Sequence, residues 1–512
     1  MFNQSIKNKY KPLLWFLVGC GSFVFTRVGN YIPYALPIAA IFILRFSRSQ
    51  KPLKSILLLS LGFPLAGMMS QLSFHGSSFQ IIYSIISLTI KGLAFMIPYA
   101  LDRLLYKKVK GFGETLVFPV SAVAAYFLIT TYVLQEGTAY YYAFVQYGNL
   151  PMMQLLSLAG IWGAGFFLLW TASVINWIWE RGFDWSRIKG GVISYVCITL
   201  TLFAYGGLKS SPLFYSYEER TVKVATINYD NLSPGDVMNM LKNREFTNLS
   251  KSISIIKNRV HEAAEAGANI VALQEYAILI PQKQEEFLVE EMKKIALENN
   301  IYFCVNYSYL PPMQQESYEY TFGFIELPDE EEGRNKALLI DDKGEVRIEY
   351  VKRHLPQLEG NYILNSDSDQ FPVVDTPYGR IGLVICKDMA YSGYMKQAAE
   401  KKADIIIAPS SEAAKALAIT YSQMLRSVEY GFSFIRPCNY GLSVAVDYHG
   451  NILSSMNSFT TPMDTMYAHV PIKGISTIYG RIGDLFAWLC CLALLGIISF
   501  SIIDNLRRNK GV

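Results

Sequence analysis

The chain has 512 residues, of which 51% are hydrophobic and 17% charged, with a mean hydropathy of +0.22 and a formal net charge of +4. Soluble chains carry about 25% charged residues, so a wholly soluble protein is excluded, and the length asks for more than one domain. No basic stripe, zinc-ligand spacing or ribonucleoprotein motif is present, which excludes a nucleic-acid partner, and no internal repeat or low-complexity segment occurs.

A membrane-crossing helix needs about 20 mostly apolar residues. Spans are expected near 12–28, 30–46, 55–73, 79–101, 114–134, 154–179 and 190–207, and an eighth at 485–503. The first is not a cleavable signal peptide, because no small-residue cleavage site follows and a second span begins at once. The chain therefore divides into a seven-span bundle (1–208), an outward soluble domain (209–484), and a last helix with its tail (485–512). Lysine and arginine alternate from loop to loop. Lys7, Lys9 and Lys11 precede the first span; Arg45, Arg48, Lys51 and Lys54 follow the second. Arg103, Lys107, Lys108 and Lys110 follow the fourth, Arg181, Arg187 and Lys189 the sixth, and Arg507, Arg508 and Lys510 the last. The intervening loops SFHGSS (73–78) and QEGTAYYYAFVQYGNLP (135–151) carry none. By the positive-inside rule, eight spans put both termini in the cytoplasm and residues 209–484 outside. Tyrosines in 135–151 suit the membrane interface, and Lys91 within the fourth span, where a charge is a functional candidate by default, is read as snorkelling to the span's edge or as a sign that the span's bounds are misplaced.

In the outward domain strand and helix patterns alternate. TVKVATINYD (221–230) is a strand. The helix at 249–267 puts Ile253, Ile256, Val260 and Ala264 on one face and stops at glycine. NIVALQE (269–275) is a buried strand, 284–299 a helix, and IYFCVNYSYL (301–310) a strand. Residues 336–352 form a hairpin turning at DDKG. RIGLVIC (380–386), a helix at 392–403, DIIIAPS (404–410), a helix over about 412–430 and a hairpin at 441–455 complete an α/β layered domain.

Three side chains stand at strand ends, where α/β folds build sites: Glu275, Lys352 and Cys386. A thiol needs a base to become a nucleophile, a buried glutamate can be that base, and a lysine can hold an oxyanion.

The order Glu, Lys, Cys, in QE (274–275), YVKRHL (350–355) and GLVICKD (382–388), resembles the nitrilase, or carbon–nitrogen hydrolase, superfamily. A nitrilase-like domain between the last two of eight spans resembles one family in particular, the apolipoprotein N-acyltransferases. QYGNLPMMQLLSLAGIWGAGF (146–166), QMLRSVEYGFSFIRPCNYGLSVAVDYHG (423–450) and TIYGRIGDLFAW (477–488) carry the same resemblance.

It implies an αββα sandwich on a membrane bundle in the bacterial cytoplasmic membrane, working without cofactor or metal. Cys386 would take an acyl chain from a phospholipid as a thioester and give it to the N-terminal amine of a diacylated lipoprotein. Glu275 would be the base and Lys352 the oxyanion partner. Glu359, in HLPQLEG, is the nearest counterpart of a second family glutamate, one residue out of register. Lys387 and Asp388 replace the aromatic and glutamate that usually follow the cysteine. Lys387 either lowers the thiol pKa, meets a lipid phosphate, or is a solvated side chain. The alternatives are a membrane-anchored amidase that gives the acyl group to water, and a scaffold with a dead nitrilase fold.

The other residues have plainer readings. Cys20, Cys197, Cys490 and Cys491 fall in spans and pack. Cys304 and Cys438 are structural, with a disulfide between them left open. His354 makes a structural hydrogen bond, Arg426 and Glu429 a supporting helical ion pair. Tyr391 and Tyr394 line an acyl pocket or cap a helix; the sequence does not separate these.

Overall fold

The computed structural model describes residues 2–26, 32–69, 78–134, 137–138, 141–211, 220–230, 232–310, 333–356, 359–412 and 417–509. The chain forms two compact units, Met1–Ser211 with Ile482–Val512, and Pro212–Arg481.

The first unit is helical: α1 (Phe2–Val24), α2 (Ala35–Ser49), α3 (Pro52–Met69), α4 (Ser78–Leu105), α5 (Val117–Leu128), the short α6 (Leu150–Met153), α7 (Leu156–Glu180), α8 (Trp185–Ser210), and a C-terminal helix, Leu485–Asn509. Among the described residues six helical stretches are long and apolar enough to cross a membrane: Pro52–Met69, Ile85–Lys108, Gly111–Val133, Leu156–Glu180, Trp185–Ser210 and Leu485–Arg507. The two N-terminal spans are shorter than expected. The apolar part of α1 is confined to Tyr10–Val24, because its first turns carry lysines, and α2 has 15 residues and ends in RFSRS. Residues 73–77 of the uncharged loop, and 135–136 and 139–140 of the tyrosine-rich one, lie outside the described residues.

Burial separates the helices by role. Helix α5 is buried on every face from Val117 to Phe127 and packs against α4, α7 and the C-terminal helix. Helix α8 is as apolar, yet only Ile188 and Gly206 are buried, and Leu200 is 63% exposed. An apolar helix exposed on nearly all sides is one that lipid covers. At Gly206 a Cβ would stand 1.9 Å from the Pro151 carbonyl oxygen, so α8 meets α6 closely only as glycine. Lys91 lies mid-way along α4, partly buried.

The second unit begins with β1 (Thr221–Ile227), α9 (Pro234–Asn243), α10 (Leu249–Glu265), β2 (Ile270–Leu273), β3 (Ile278–Pro281), α11 (Glu285–Asn299), β4 (Tyr302–Leu310), β5 (Arg334–Ile340) and β6 (Val346–Val351). It continues with β7 (Val373–Thr376), β8 (Gly379–Leu383), α12 (Ser392–Glu400), β9 (Ile405–Ile407), β10 (Ser410–Ser411), α13 (Leu417–Tyr430), β11 (Ser433–Arg436), β12 (Cys438–Asn439), β13 (Leu442–Val446), β14 (Ile452–Asn457) and β15 (Thr465–Pro471). One sheet has the order β15-β1-β2-β4-β5-β6, with β3 beside β4; the other runs β14-β13-β11-β9-β8-β7. Each has a parallel centre (β1-β2-β4; β8-β9-β11) and antiparallel edges.

Helices α10 and α11 cover the first sheet, and α12 and α13 the second side. Strand β15 approaches β14 and β6 approaches β7, which brings the two sheets together as an αββα sandwich. Strands covered on both faces are buried throughout, as in β2 and β4. In α10, Ile256 and Val260 are fully buried, with Ile253 and Ala264 packed at the margin of the same core.

Candidate active site

Glu275 follows β2, Lys352 follows β6, and Cys386 follows β8 by three residues. The first two meet in the first sheet. Lys352 Nζ donates to Glu275 Oε1 at 2.6 Å and to Glu359 Oε2 at 2.6 Å, and the side chains are 1%, 1% and 4% exposed. Asn335 Nδ2 donates to both carboxylates at 3.0 Å, and its own Oδ1 accepts from Asn306 Nδ2 at 2.8 Å. Asn306 Oδ1 in turn accepts from the Tyr276 backbone N–H at 2.6 Å, just beyond Glu275. Glu359 therefore joins the cluster despite its shifted register, on the short helical turn Glu359–Asn361. Residues 357–358 of that run lie outside the described residues.

Two carboxylates share one ammonium in a site closed to water, and the proton affinities follow. Burial pushes the Glu275 carboxyl up, and the Glu359 charge adds to this against the pull of Lys352. Burial works against the Lys352 ammonium, but Glu275 and Glu359 beside it hold its pKa above the ordinary value. Lysine thus stays charged while glutamate becomes a stronger base than an exposed carboxylate.

The candidate nucleophile, Cys386, follows a strand of the second sheet. Cys386 has φ = +45°, and Tyr276, next to Glu275, has φ = +56°. Both lie in the left-handed region, which costs a non-glycine residue about 1–2 kcal/mol. The segment after β9 joins the two strand ends. Pro409 accepts from the Cys386 N–H at 2.9 Å, Ser410 from the Glu275 N–H at 3.3 Å, and Ser411 from the Cys386 thiol at 3.9 Å. Burial and the Glu275 charge push the thiol pKa well up, against Lys352 and Arg436. At rest the thiol is protonated and needs a base within reach.

The cysteine backbone is also gripped from behind. Gln423 Nε2 donates to the Cys386 carbonyl at 3.0 Å, and Arg436 Nε donates to Gln423 Oε1 at 2.8 Å. Arg436 is itself paired with Glu412, and all three are buried. Arg426 pairs with Glu429 and donates to the carbonyls of Met389 at 3.0 Å and Ala390 at 3.1 Å, so this ion pair also shapes the turn after the cysteine.

Asp388 is buried beneath that turn. Its carboxylate accepts from Tyr350 Oη, the His354 N–H and His354 Nδ1, each at 2.8 Å, and from the Ile385 N–H at 3.2 Å. His354 stacks on Tyr391, with ring centroids 3.6 Å apart, and meets Tyr394 edge-on. Tyr391 stands at the N-cap position of α12 without a side-chain capping bond. Lys387 Nζ donates to the Leu355 carbonyl at 3.1 Å. All seven cysteines are free thiols, and Cys304 and Cys438 are fully buried. Among the described residues no group of three His, Cys, Asp or Glu side chains is arranged to hold a metal.

Sequence reasoning missed Asn306, Asn335, Gln423, Glu412 and Arg436. It placed Glu412 at the start of a helix that begins at Leu417. Signals were present: Asn306 interrupts the apolar strand YFCVNYSYL, and Arg436 ends FSFIR. Buried polar groups in apolar strands must be paired.

Residues 235–478 match the family model described as carbon-nitrogen hydrolase. Apolipoprotein N-acyltransferases are among the relatives. One from Treponema denticola is 30% identical over 139 residues, covering 26% of this chain and 25% of the relative. Another, from Nostoc sp., is 27% identical over 187 residues, covering 32% and 36%. Omega-amidase NIT2-B of Xenopus laevis is 28% identical over 186 residues, covering 32% and 58%. The match thus spans about a quarter of the length of the first of these relatives. Among solved structures, an amidase from Nesterenkonia sp. AN1 superposes with a TM-score of 0.39 and 16% identity, covering 49% of this chain and 91% of the amidase.

Proposed function

We propose that this chain, with its carbon–nitrogen hydrolase domain and apolipoprotein N-acyltransferase relatives, is a bacterial membrane N-acyltransferase. The observation that carries the reading is the buried Glu275–Lys352–Glu359 cluster, whose Glu275 and Lys352 charges reach the Cys386 thiol, in a chain with six membrane-length helices among its described residues. In the first half-reaction Glu275 takes the thiol proton and the sulfur attacks a phospholipid ester carbonyl. Lys352 stabilises the oxyanion of the tetrahedral intermediate. The ester C–O bond breaks, the leaving lysophospholipid oxygen takes the proton from Glu275, and Cys386 holds the acyl chain as a thioester.

In the second half-reaction the α-amine of a diacylglyceryl-cysteine on a lipoprotein attacks the thioester. Glu275 takes the amine proton, the C–S bond breaks as the amide forms, and the leaving thiolate takes that proton back from Glu275 to restore the thiol. No cofactor enters, because the thioester stores the acyl group. Glu359 and Asn335 keep Glu275 and Lys352 in place, and Asp388 holds the turn carrying Cys386. We place the chain in the cytoplasmic membrane, with the catalytic domain outside and both termini in the cytoplasm, on the alternation of basic loops.

The test is the intact mass of the purified full-length protein after incubation with phospholipid, beside Cys386→Ala. An acyl-sized adduct, absent from the variant and discharged by a lipopeptide amine, is the expected result. Discharge by water at the same rate without an amine would make the chain an amidase-type hydrolase. A folded protein that forms no adduct and no hydrolysis product would overturn the reading.

A further inference from the structure

Basic residues from well-separated parts of the chain converge at one end of the helical unit. Arg45 and Arg48 from the end of α2, Lys107 just past α4, and Arg181 and Arg187 around the α7–α8 turn border a single cavity of about 570 Å³. Glu114 and Glu180 also line it. The charges do not cancel. Arg181 is satisfied by Glu114 at 2.7 Å, and Arg187 by Asp184 at 3.1 Å. Arg48 spends Nε and Nη2 on Asp102, both at 2.8 Å, which leaves Nη1 buried without a hydrogen-bond partner and 3.7 Å from Glu180. Arg45 Nε is likewise buried and unpartnered, and its nearest carboxylate, again Glu180, is 4.0 Å away. Lys107 has no carboxylate partner among the described residues.

Buried guanidinium N–H groups without acceptors are costly, and the cheapest remedy is an anion with several acceptor oxygens. The surroundings say which kind. Arg45 lies over the rings of Trp179 (4.7 Å) and Trp15 (5.4 Å), and Arg48 over Tyr106 (4.4 Å). Such aromatic and cationic rims sit at membrane–water interfaces. Around Trp15, α1 exposes Leu13, Leu14 and Leu17, at 51%, 59% and 57%, a surface that suits acyl chains. The basic end of a membrane protein faces the cytoplasmic leaflet, which holds the anionic lipids.

We propose that this cavity binds the phosphate-bearing headgroup of an anionic glycerophospholipid in the cytoplasmic leaflet. The lipid would tie α2, α4, α7 and α8 together by giving Arg45, Arg48 and Lys107 a shared acceptor. This site is separate from the acyl-transfer chemistry and rests on no step of it.

The experiment uses full-length protein carrying Cys386→Ala, so that no acyl chain is transferred. Native mass spectrometry from a neutral detergent measures binding of dioctanoyl phosphatidylglycerol, dioctanoyl phosphatidylcholine and inorganic phosphate. Phosphatidylglycerol should bind at least fivefold tighter than phosphatidylcholine, at about one net charge of difference. Adding Arg45→Gln with Lys107→Gln should weaken phosphatidylglycerol about thirtyfold. Adding Glu180→Gln should tighten it about fivefold, by freeing Arg45 and Arg48. Opposite signs in the two variants exclude general damage to the fold, and lipid bound elsewhere is unaffected by either. Equal binding of the two lipids, no change in the variants, or weakening by Glu180→Gln overturns the proposal. Inorganic phosphate binding as tightly as the lipid would reassign the cavity to free phosphate.

Discussion

Glu359→Gln isolates what the second glutamate does. The Glu275 and Glu359 oxygens each stand 2.6 Å from Lys352 Nζ, so they are no more than about 5.2 Å apart (twice 2.6 Å). At an effective dielectric constant near 20, two like charges at that distance repel by about 3 kcal/mol, and about 1.4 kcal/mol corresponds to one pH unit. Glutamine keeps the shape and the contact with Lys352 but removes the charge. The Glu275 pKa should then fall. In the proposed mechanism Glu275 is a base only when deprotonated, so thioester formation is lost as pH falls through its pKa. In the variant this acid limb should move to lower pH, while the plateau rate drops about tenfold because the base is weaker. The assay is quenched-flow intact mass of the acyl adduct in detergent, with saturating short-chain phospholipid, from pH 4.5 to 8.5. A limb that stays in place, or moves up, would refute the argument that Glu359 raises the basicity of Glu275.

Three further outcomes follow from the structure. Lys387→Met should cost about 1 kcal/mol through the lost bond to the Leu355 carbonyl, lowering Tm slightly; a large fall in adduct formation would instead make Lys387 part of the chemistry. Asp388→Asn turns an amide toward donors from Tyr350, His354 and Ile385, and should lower stability by about 2–4 kcal/mol, read as Tm; an unchanged Tm would mean the turn is held by other contacts. Asp230, beside Gln274 and Asn439, is pushed up by burial to about 6. Its folded pKa exceeds the unfolded one, so its contribution to stability is full below about pH 4 and is lost as pH rises through about 6, a change of about 3 kcal/mol. Asp230→Asn should remove that slope, and a wild-type-minus-variant difference that is flat between pH 4 and 7 would contradict it.

The sequence itself determined the two-part organisation. Apolar runs long enough to cross a bilayer have no soluble alternative, because a helix that apolar on all faces must be covered by protein or lipid. It also marked Glu275, Lys352 and Cys386, because each ends a strand whose alternation or apolar run is local. Local signals could not supply partners distant in sequence. Asn335 bridges Glu275 and Glu359, 60 and 24 positions away, and Gln423 holds the Cys386 carbonyl from 37 positions away. The first contact arises from the strand order of one sheet and the second from a helix laid against the other, and no pattern within one segment encodes the packing that brings them together. The same holds for Glu359, whose shifted place in HLPQLEG reads as a mismatch along the chain. In space its short helical turn still carries the carboxylate to Lys352, because a buried ammonium with one carboxylate already beside it draws in a second acceptor wherever the backbone can deliver one. The basic loops show the division most clearly: the sequence set their alternation, while the tertiary structure alone gathered Arg45, Arg48, Lys107 and Arg181 around one cavity, since only helix packing brings the ends of α2, α4 and α7 side by side.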